Sequence, residues 1–295
     1  MEIFSLSSLL RPATPIVLMD IGASLLEDPP YQPLIDAGLV SLIGFEPNRE
    51  ECAKLQAKYG APHRFFPHFI GDGRPATFYE TNWFATGSLF KPNKPVLEKF
   101  QNLYEMVTPL AEHPVETRAL DTIAEIERVD YIKIDVQGSE LAVFQGAERL
   151  LRDTLVIQTE VEFLELYEKQ PLFADVDTHL RSRDFIFTHF IGVGSRAVKP
   201  AILNQGPYSG NQHLWADVLY LKNWFDPTAL SADQLTKLAI IMHDIYKLYD
   251  FCYNFLVALD TRSGTNHAPR YVETWVQLRQ SLTGAGAAAP PAAGR

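Results

Sequence analysis

The chain has 295 residues, 46% hydrophobic and 21% charged, which is the balance of a soluble globular protein large enough to bury a full core. It carries 26 Lys plus Arg against 36 Asp plus Glu, a formal net charge of −10, and no basic run occurs along it. Nucleic acid is therefore a poor candidate partner, because phosphate binding needs clustered positive charge.

Cysteine usage and hydropathy restrict the class further. Cys52 and Cys252 lie far apart in segments with helical patterns, so neither a C-x-x-C metal site nor a disulfide framework is indicated. The opening residues, MEIFSLSSLLRP, contain an early acid and no basic region, which is not typical of a signal peptide. No run reaches the roughly 18 apolar residues that span a bilayer. We expect a cytoplasmic protein without a membrane partner.

The first two predicted strands end in polar groups. The first ends in the tight turn of VLMDIGAS, which contains Asp20, Gly22 and Ala23, and the second, LVSLIGFEP, ends on Glu46. A glycine turn after one strand and an acid after the next are typical of a site for an adenosine ribose. The motif G-x-G-x-x-G is absent, because SLL occupies residues 24–26. A cofactor without phosphate is therefore favoured over NAD.

A capped helix and an irregular segment follow. Asn48 is a suitable cap for a helix over 49–59, and a third strand is predicted over 64–70. Residues 79–113 are aromatic and punctuated by glycine and proline, with a short helix predicted over 97–106. A long insertion of this kind in a compact domain is typical of a binding lid, and we expect it to contact substrate.

The segment DYIKIDVQGSE predicts a buried strand that ends on Asp135 and leads through Gly138 into a helix over 139–151. A further strand is predicted over 154–162 and contains Glu160. Strands that alternate with helices indicate an α/β fold with a parallel, doubly covered sheet, and ligands of such sheets bind at the strand tips. Asp135 is therefore a candidate site residue.

The remaining sequence predicts a closing pair of strands and a helical appendage. FIFTHFIGV and HLWADVLYL have the pattern of an antiparallel pair, and residues 231–260 place apolar side chains at helical spacing. We divide the chain into a domain over 1–225 with its insertion near 79–113, a helical appendage over 226–283, and a low-complexity tail over 284–295. The appendage packs on the domain or forms a homodimer interface.

Several motifs in order resemble the FkbM family of S-adenosylmethionine-dependent methyltransferases. They are VLMDIGA, GFEPN, FFPHFIGDG, the turn Gly87-Ser88-Leu89, RALDTI, YIKIDVQGSELAVFQGAERLL and VIQTEVEF, and together they cover residues 15–222. The resemblance implies a Rossmann-like class I methyltransferase sheet, mostly parallel with an antiparallel closing strand, and S-adenosylmethionine as cofactor.

The resemblance also implies roles for particular residues. Those expected to bind the cofactor are Asp20, Gly22 and Ala23 on its methionine side, Glu46 at the ribose and Asp72 near the adenine. Asp135 is expected to face the methyl group. The chain departs from the family pattern at residues 24–26, where the family has Asn and a further Gly, and at Gln137, where it commonly has Glu.

Asp135 and Glu160 are our candidate catalytic residues, as proton acceptor and substrate holder for methylation of a hydroxyl on a small metabolite or sugar. We expect no metal requirement, because Gln137 replaces a carboxylate that a magnesium site could use. The alternative is that Asp135, Glu140 and Glu160 converge on one ion. Nitrogen and carboxyl acceptors stay open. A non-catalytic binding module and an NAD-dependent dehydrogenase are the competing functions.

Overall fold

The computed structural model describes residues 4–24, 29–202 and 210–284, and the chain divides into two compact units. The larger comprises Pro15–Pro29 and Val40–Phe225, and the smaller comprises Met1–Thr14, Pro30–Leu39 and Asp226–Arg295. The grouping of two N-terminal segments with the C-terminal helices was not predicted. The predicted tail lies outside the described residues from residue 285 onward.

A seven-stranded sheet forms the frame of the larger unit. In spatial order its strands are β3 (Arg64–Phe66), β2 (Val40–Phe45), β1 (Ile16–Ile21), β7 (Tyr131–Ile134), β8 (Val156–Glu162), β10 (Gln212–Lys222) and β9 (Phe185–Arg196). The first five strands in this order are parallel to one another: β3, β2, β1, β7 and β8. Strand β10 runs antiparallel to both of its neighbours. The predicted α/β fold with a mostly parallel sheet and an antiparallel closing pair is confirmed.

Burial on both faces of the central strands explains why their first residues are apolar, and their polar residues lie toward the carboxyl ends. The core is formed by side chains of the sheet and of the helices that follow its strands, and includes Met19, Ile43, Ile132, Ile134, Phe144, Ile157, Val161, Leu180 and Val218. Helix α1 (Gln32–Asp36) belongs to the smaller unit, and helix α2 (Arg49–Tyr59) has the predicted bounds. The Asn48 side chain caps α2 by accepting hydrogen bonds from the amides of Glu50 and Glu51.

The helix predicted over 139–151 is interrupted. Helix α5 (Glu140–Gln145) ends at Gly146, and a separate turn covers Leu150–Arg152. The Gly146 carbonyl accepts a hydrogen bond from the Asp121 amide, and the amides of Arg149 and Leu150 donate to the Asp121 carboxylate. These tertiary hydrogen bonds replace those that would continue the helix. Helix α6 (Phe173–Arg181) follows β8.

The insertion has more structure than the sequence predicted. Strands β4 (Phe69–Ile70), β5 (Pro75–Thr81) and β6 (Pro109–Arg118) form a separate three-stranded sheet, so the strand predicted over 64–70 is split. The helix predicted over 97–106 is two turns, α3 (Lys94–Leu97) and α4 (Leu103–Met106), because Asn102 adopts a left-handed φ of 57°. A second core holds these turns against the chain after β8; it comprises Leu97, Phe100, Leu103, Val107, Leu166, Tyr167 and Leu214.

The smaller unit contains helices α7 (Ala232–Ile240), α8 (Tyr249–Ser263) and α9 (His267–Gly284), with a π-helical turn over Ile241–Ile245. The single helix expected over 231–260 is therefore broken, at the turn before Leu248, whose amide donates to the Met242 carbonyl. N-terminal residues join this unit through the Ser5 hydroxyl and Leu6 amide, which donate to Asp244. Among the described residues, no helix is long and apolar enough to cross a membrane.

Candidate active site

The turn after β1 brings the backbone of β7 close to it. Gly22 has φ of +88°, and a Cβ at this position would lie 2.2 Å from the Asp135 carbonyl oxygen. The amides of Gly22 and Ala23 donate to the Phe45 carbonyl, and the Asp135 amide donates to the Ile21 carbonyl. Only glycine fits this turn, which holds the tips of β1, β2 and β7 together at the edge of the sheet where ligands of such folds bind.

Glu46 follows β2 at the same edge of the sheet. Its side chain is half-buried, and its Oε1 accepts a hydrogen bond of 2.7 Å from the Asn48 amide. Burial raises the pKa of Glu46, although the bond from Asn48 opposes that shift. A carboxylate offers about four acceptor positions, so capacity is left for two ribose hydroxyls. The predicted ribose site is therefore compatible with the geometry.

Asp20 and Asp72 make ion pairs with neighbouring basic residues. Asp20 is buried, and its Oδ1 lies 3.2 Å from the Lys133 Nζ on β7. Burial lowers the pKa of Lys133, but the charges of Asp20 and Asp135 outweigh it and the net shift is upward. Asp72, after β4, accepts a hydrogen bond of 2.6 Å from the Arg74 Nε, which lowers the pKa of the carboxyl group. The adenine contact of Asp72 stays a prediction.

The two candidate catalytic carboxylates meet through a third residue. Ile134 pairs with Thr159 in the register of β7 and β8, so Asp135 and Glu160 are neighbours, as expected. The Gln137 Nε2 donates to the Asp135 Oδ1 at 2.7 Å and to the Glu160 Oε2 at 2.8 Å. Asp135 is exposed and Glu160 is half-buried. Their catalytic roles stay predictions, but their adjacency is now an observation.

Further carboxyl groups surround this pair. Glu140, in the first turn of α5, is buried, and its Oε1 accepts from the Val136 amide at 2.9 Å. Burial raises the pKa of Glu140 to about 7, and burial together with the Asp135 charge raises the pKa of Glu160 well above its usual value. Burial, and after it the charges of neighbouring carboxylates, also raises the pKa of Glu162 and the pKa of Asp217. Burial of neighbouring acids thus favours the protonated forms of these carboxyl groups.

Three of these carboxylates lie close enough to one another to share one metal ion. One ligand oxygen each from Asp135, Glu140 and Glu160 lies within 4.8 Å of the others, which is the convergence that the metal alternative requires. Among the described residues, this group contains carboxylates and no histidine or cysteine. The choice between a metal and a metal-free site thus depends on what occupies the space between the carboxylates.

The insertion reaches this site directly. The Ser88 hydroxyl donates to the Gln137 carbonyl at 2.6 Å, and the Tyr167 hydroxyl lies 2.9 Å from the Thr86 carbonyl and 3.1 Å from the Gln137 Oε1. Trp83 and Phe84, on the turn before Thr86, are exposed. The segment therefore adjoins the strand tips, where a lid or an acceptor-binding surface is expected.

Sequence reasoning did not assign Gln137, Tyr167, Ser88 or Lys133 to the site. Gln137 was noted only as a departure from the family pattern, and its bridging amide depends on a left-handed backbone that cannot be read from one sequence. Tyr167 lies beyond the last matched motif. The alternating acids of TEVEF were the one available signal for Glu162, since alternate residues of a strand share a face.

The residues fit S-adenosylmethionine. The Gly22 turn packs directly against the Asp135 backbone and so brings the strand tips together, and Glu46 at the tip of β2 keeps acceptor capacity for the ribose hydroxyls. Of the residues at 24–26, Leu25 and Leu26 lie outside the described residues, so the structure does not describe that departure from the family pattern.

Comparison with known proteins identifies the family. Residues 21–187, more than half of the chain, match the model of the methyltransferase FkbM domain. The 2-O-methyltransferase NoeI of Sinorhizobium fredii is 34% identical over 151 residues, which are 46% of this chain and 60% of that protein. The chain thus spans less than two thirds of the length of this relative.

Solved structures of methyltransferases are also similar. The magnesium protoporphyrin IX methyltransferase of Synechocystis PCC 6803, with bound SAM, is 12% identical with a TM-score of 0.36, over 71% of each chain. A putative methyltransferase of Thermoplasma acidophilum is 9% identical with a TM-score of 0.34, over 76% of this chain and 77% of that one. From the extent of the family match, the chain belongs to the FkbM methyltransferase family, and its cofactor is S-adenosylmethionine.

Proposed function

We propose that this chain transfers a methyl group from S-adenosylmethionine to a hydroxyl oxygen of a small metabolite or sugar. The observation that carries the proposal is the pairing of Asp135 and Glu160 at the strand tips, beside the Gly22 turn. A proton acceptor and a second carboxyl group then lie where the methyl acceptor must enter. The name of the relative NoeI, a 2-O-methyltransferase, supports oxygen as the acceptor atom.

The bound cofactor supplies a methyl group that its sulfonium has already activated. The protein must hold the acceptor hydroxyl in line with that methyl at near-attack distance and remove the hydroxyl proton as the new bond forms. Asp135 is suited to accept the proton because it is exposed at the tip of β7. The Gln137 amide orients its carboxylate by donating to Oδ1.

Glu160 is suited to a different role. Burial and the charge of Asp135 raise the pKa of Glu160 well above its usual value, which favours the protonated form of its carboxyl group. A protonated carboxyl donates a hydrogen bond, and such a donor can hold a second oxygen of the acceptor. We therefore assign the role of base to the exposed Asp135 and the role of holder to Glu160.

The surroundings of the site agree with a neutral, hydroxylated acceptor. Trp83 and Phe84 expose aromatic surface next to the tips, which suits the apolar face of a sugar ring. The net charge of −10 disfavours a nucleic acid acceptor.

On the smaller unit, Tyr253 and Val257 of α8 and Val272 and Val276 of α9 are exposed, and these support the proposed homodimer.

Methyl transfer is tested with the purified chain, S-adenosylmethionine and a panel of methyl glycosides, hydroxylated aromatic compounds and amines. We expect S-adenosylhomocysteine to form with a hydroxylated member, whose mass increases by one CH₂, and the methylated oxygen is then located by NMR. Formation of an N-methylated product alone would contradict the hydroxyl acceptor. Tight cofactor binding without transfer to any of these classes would favour the binding module.

A further inference from the structure

Gln137 uses its hydrogen-bonding groups in a way that an ordinary turn residue does not. Its backbone carbonyl accepts from the Ser88 hydroxyl, and its side-chain Oε1 lies 3.1 Å from the Tyr167 hydroxyl. Its Nε2 donates to the Asp135 Oδ1 and to the Glu160 Oε2. The Gln137 side chain thus contacts both candidate catalytic carboxylates. The insertion contacts the Gln137 backbone through Ser88.

The backbone at this position is strained. Gln137 has φ of +56°, in the left-handed region that side chains other than glycine, asparagine and aspartate rarely adopt. Gly138 follows with φ of +98°, so two consecutive residues take positive φ values. A non-glycine residue persists in this region when the surrounding structure fixes it, and such residues cluster at functional sites. Here the four hydrogen-bonding contacts of Gln137 provide that fixation.

The contacts also decide which way the amide faces. A reversed amide would place its oxygen against the carboxylate oxygens of Asp135 and Glu160, and its NH₂ group against the Tyr167 hydroxyl. In the observed orientation each N–H meets a carboxylate oxygen, and the Tyr167 hydroxyl directs its single hydrogen toward two acceptors, the Thr86 carbonyl at 2.9 Å and the amide oxygen at 3.1 Å. Burial, together with the nearby carboxylates, raises the pKa of Tyr167 well above its usual value, so the hydroxyl keeps its proton.

The amide nitrogen lies 2.7 and 2.8 Å from the two carboxylate oxygens that it joins. One oxygen each from Asp135, Glu160 and Glu140 lies within 4.8 Å of the others. A cation shared by these carboxylates would have to sit between them, where oxygen ligands contact Mg²⁺ at about 2.0–2.1 Å. The amide nitrogen and such a cation therefore compete for the Asp135 and Glu160 carboxylates.

We propose that Gln137 is a positioning residue whose amide, oriented by the Tyr167 hydroxyl, holds Asp135 and Glu160 together in the place that a divalent cation would otherwise take. The inference rests on the proposed methyl transfer for its consequence in catalysis. The exclusion of the cation does not depend on methyl transfer, because it is a property of the site without substrate.

Cation exclusion is tested by titrating the intact protein with Mn²⁺ alone, followed by electron paramagnetic resonance. Gln137→Glu adds a carboxylate at the bridging position, and Gln137→Gly removes the amide and suits the positive φ. Gln101→Glu makes the same chemical change away from the site, where the Gln101 Nε2 donates to the Ala201 carbonyl at 3.1 Å. Thermal unfolding of each variant checks that the fold is kept.

We expect both Gln137 variants to bind one Mn²⁺ at least about tenfold more tightly than the unmodified chain, and Gln101→Glu to match the unmodified chain. Equal Mn²⁺ affinity in the unmodified chain and the Gln137 variants would overturn the proposal, because the amide would then exclude nothing. Failure of methyl transfer would leave this titration unaffected, so the two proposals fail separately.

The role of Tyr167 is tested by the side-chain amide resonances of Gln137 in ¹⁵N-labelled protein, assigned by their loss in Gln137→Gly. We expect Tyr167→Phe to shift these resonances and speed their exchange with water, and to lower kcat on the acceptor identified above while the KM for S-adenosylmethionine stays unchanged. Unchanged resonances in Tyr167→Phe would show that the hydroxyl does not orient the amide.

Discussion

Substitution of Gly22 by alanine tests how the site is assembled. In Gly22→Ala the backbone of the substituted residue would have to keep φ of +88°, which costs roughly 1–2 kcal/mol for an L-residue. The new Cβ would also lie 2.2 Å from the Asp135 carbonyl oxygen. Relieving that overlap requires the tips of β1 and β7 to separate, and overpacking of this kind costs about 1–3 kcal/mol. We therefore expect a loss of roughly 2–5 kcal/mol, or about 4–20 °C in Tm.

Gly264→Ala is the matched control. Gly264 has φ of +65° and ψ of 28° at the end of α8, and no atom lies within 4 Å of its added Cβ. It therefore reports the backbone contribution alone, about 1–2 kcal/mol. Differential scanning calorimetry measures both variants, and calorimetry with S-adenosylhomocysteine measures the site. Equal destabilisation of the two variants, with cofactor affinity retained in Gly22→Ala, would refute the close approach of the two tips.

Other predictions concern turnover, pH dependence and the smaller unit. Asp135→Asn should lower turnover by about 10²–10⁴ while leaving cofactor affinity nearly intact, because it keeps the shape and removes the base. The pKa of Glu140 is about 7 against its usual 4.5, so the folded chain retains a proton that the unfolded chain releases; stability therefore falls as pH rises through this interval, and Glu140→Gln should reduce the fall. Truncation after Trp224 should give aggregating protein, because the chain loses the helices that contain Leu235, Leu238, Phe255 and Leu256, all buried.

Each of these has a contrary outcome. Unchanged turnover in Asp135→Asn, together with unchanged cofactor affinity, would show that Asp135 is not the base. Identical pH dependence of the free energy of unfolding in Glu140→Gln would mean that this carboxyl does not hold the proton. A truncated chain that light scattering shows to be monodisperse, and circular dichroism shows to be folded, would make the C-terminal helices dispensable.

The sequence predicted the frame of the site because that frame follows from local patterns. Apolar strands, a glycine turn after the first of them and acids at the tips place Asp20, Gly22, Glu46 and Asp135 at one edge of the predicted sheet. The register of β7 and β8 then brings Glu160 beside Asp135, as adjacent parallel strands require. These inferences needed only periodicity and the family resemblance.

What the sequence did not predict depends on contacts between distant residues. The helix after Gly138 ends early because Asp121 takes the hydrogen bonds that would extend it. The insertion forms a sheet through pairing of β5 with β6, across an interval with no local strand signal strong enough to be recognised. Gln137 bridges the carboxylates from a left-handed backbone, and its amide contacts Tyr167, thirty residues further along the chain. Such tertiary effects override local propensity.

Binding of S-adenosylhomocysteine by the intact chain tests the cofactor site most directly. Titration calorimetry should show binding that Glu46→Ala weakens by roughly 10- to 150-fold, since a charge-assisted hydrogen bond to the ribose hydroxyls contributes about 1.5–3 kcal/mol. NAD should not bind. No binding of S-adenosylhomocysteine together with binding of NAD, or an affinity that Glu46→Ala leaves unchanged, would contradict the placement of the cofactor at the tips of β1 and β2.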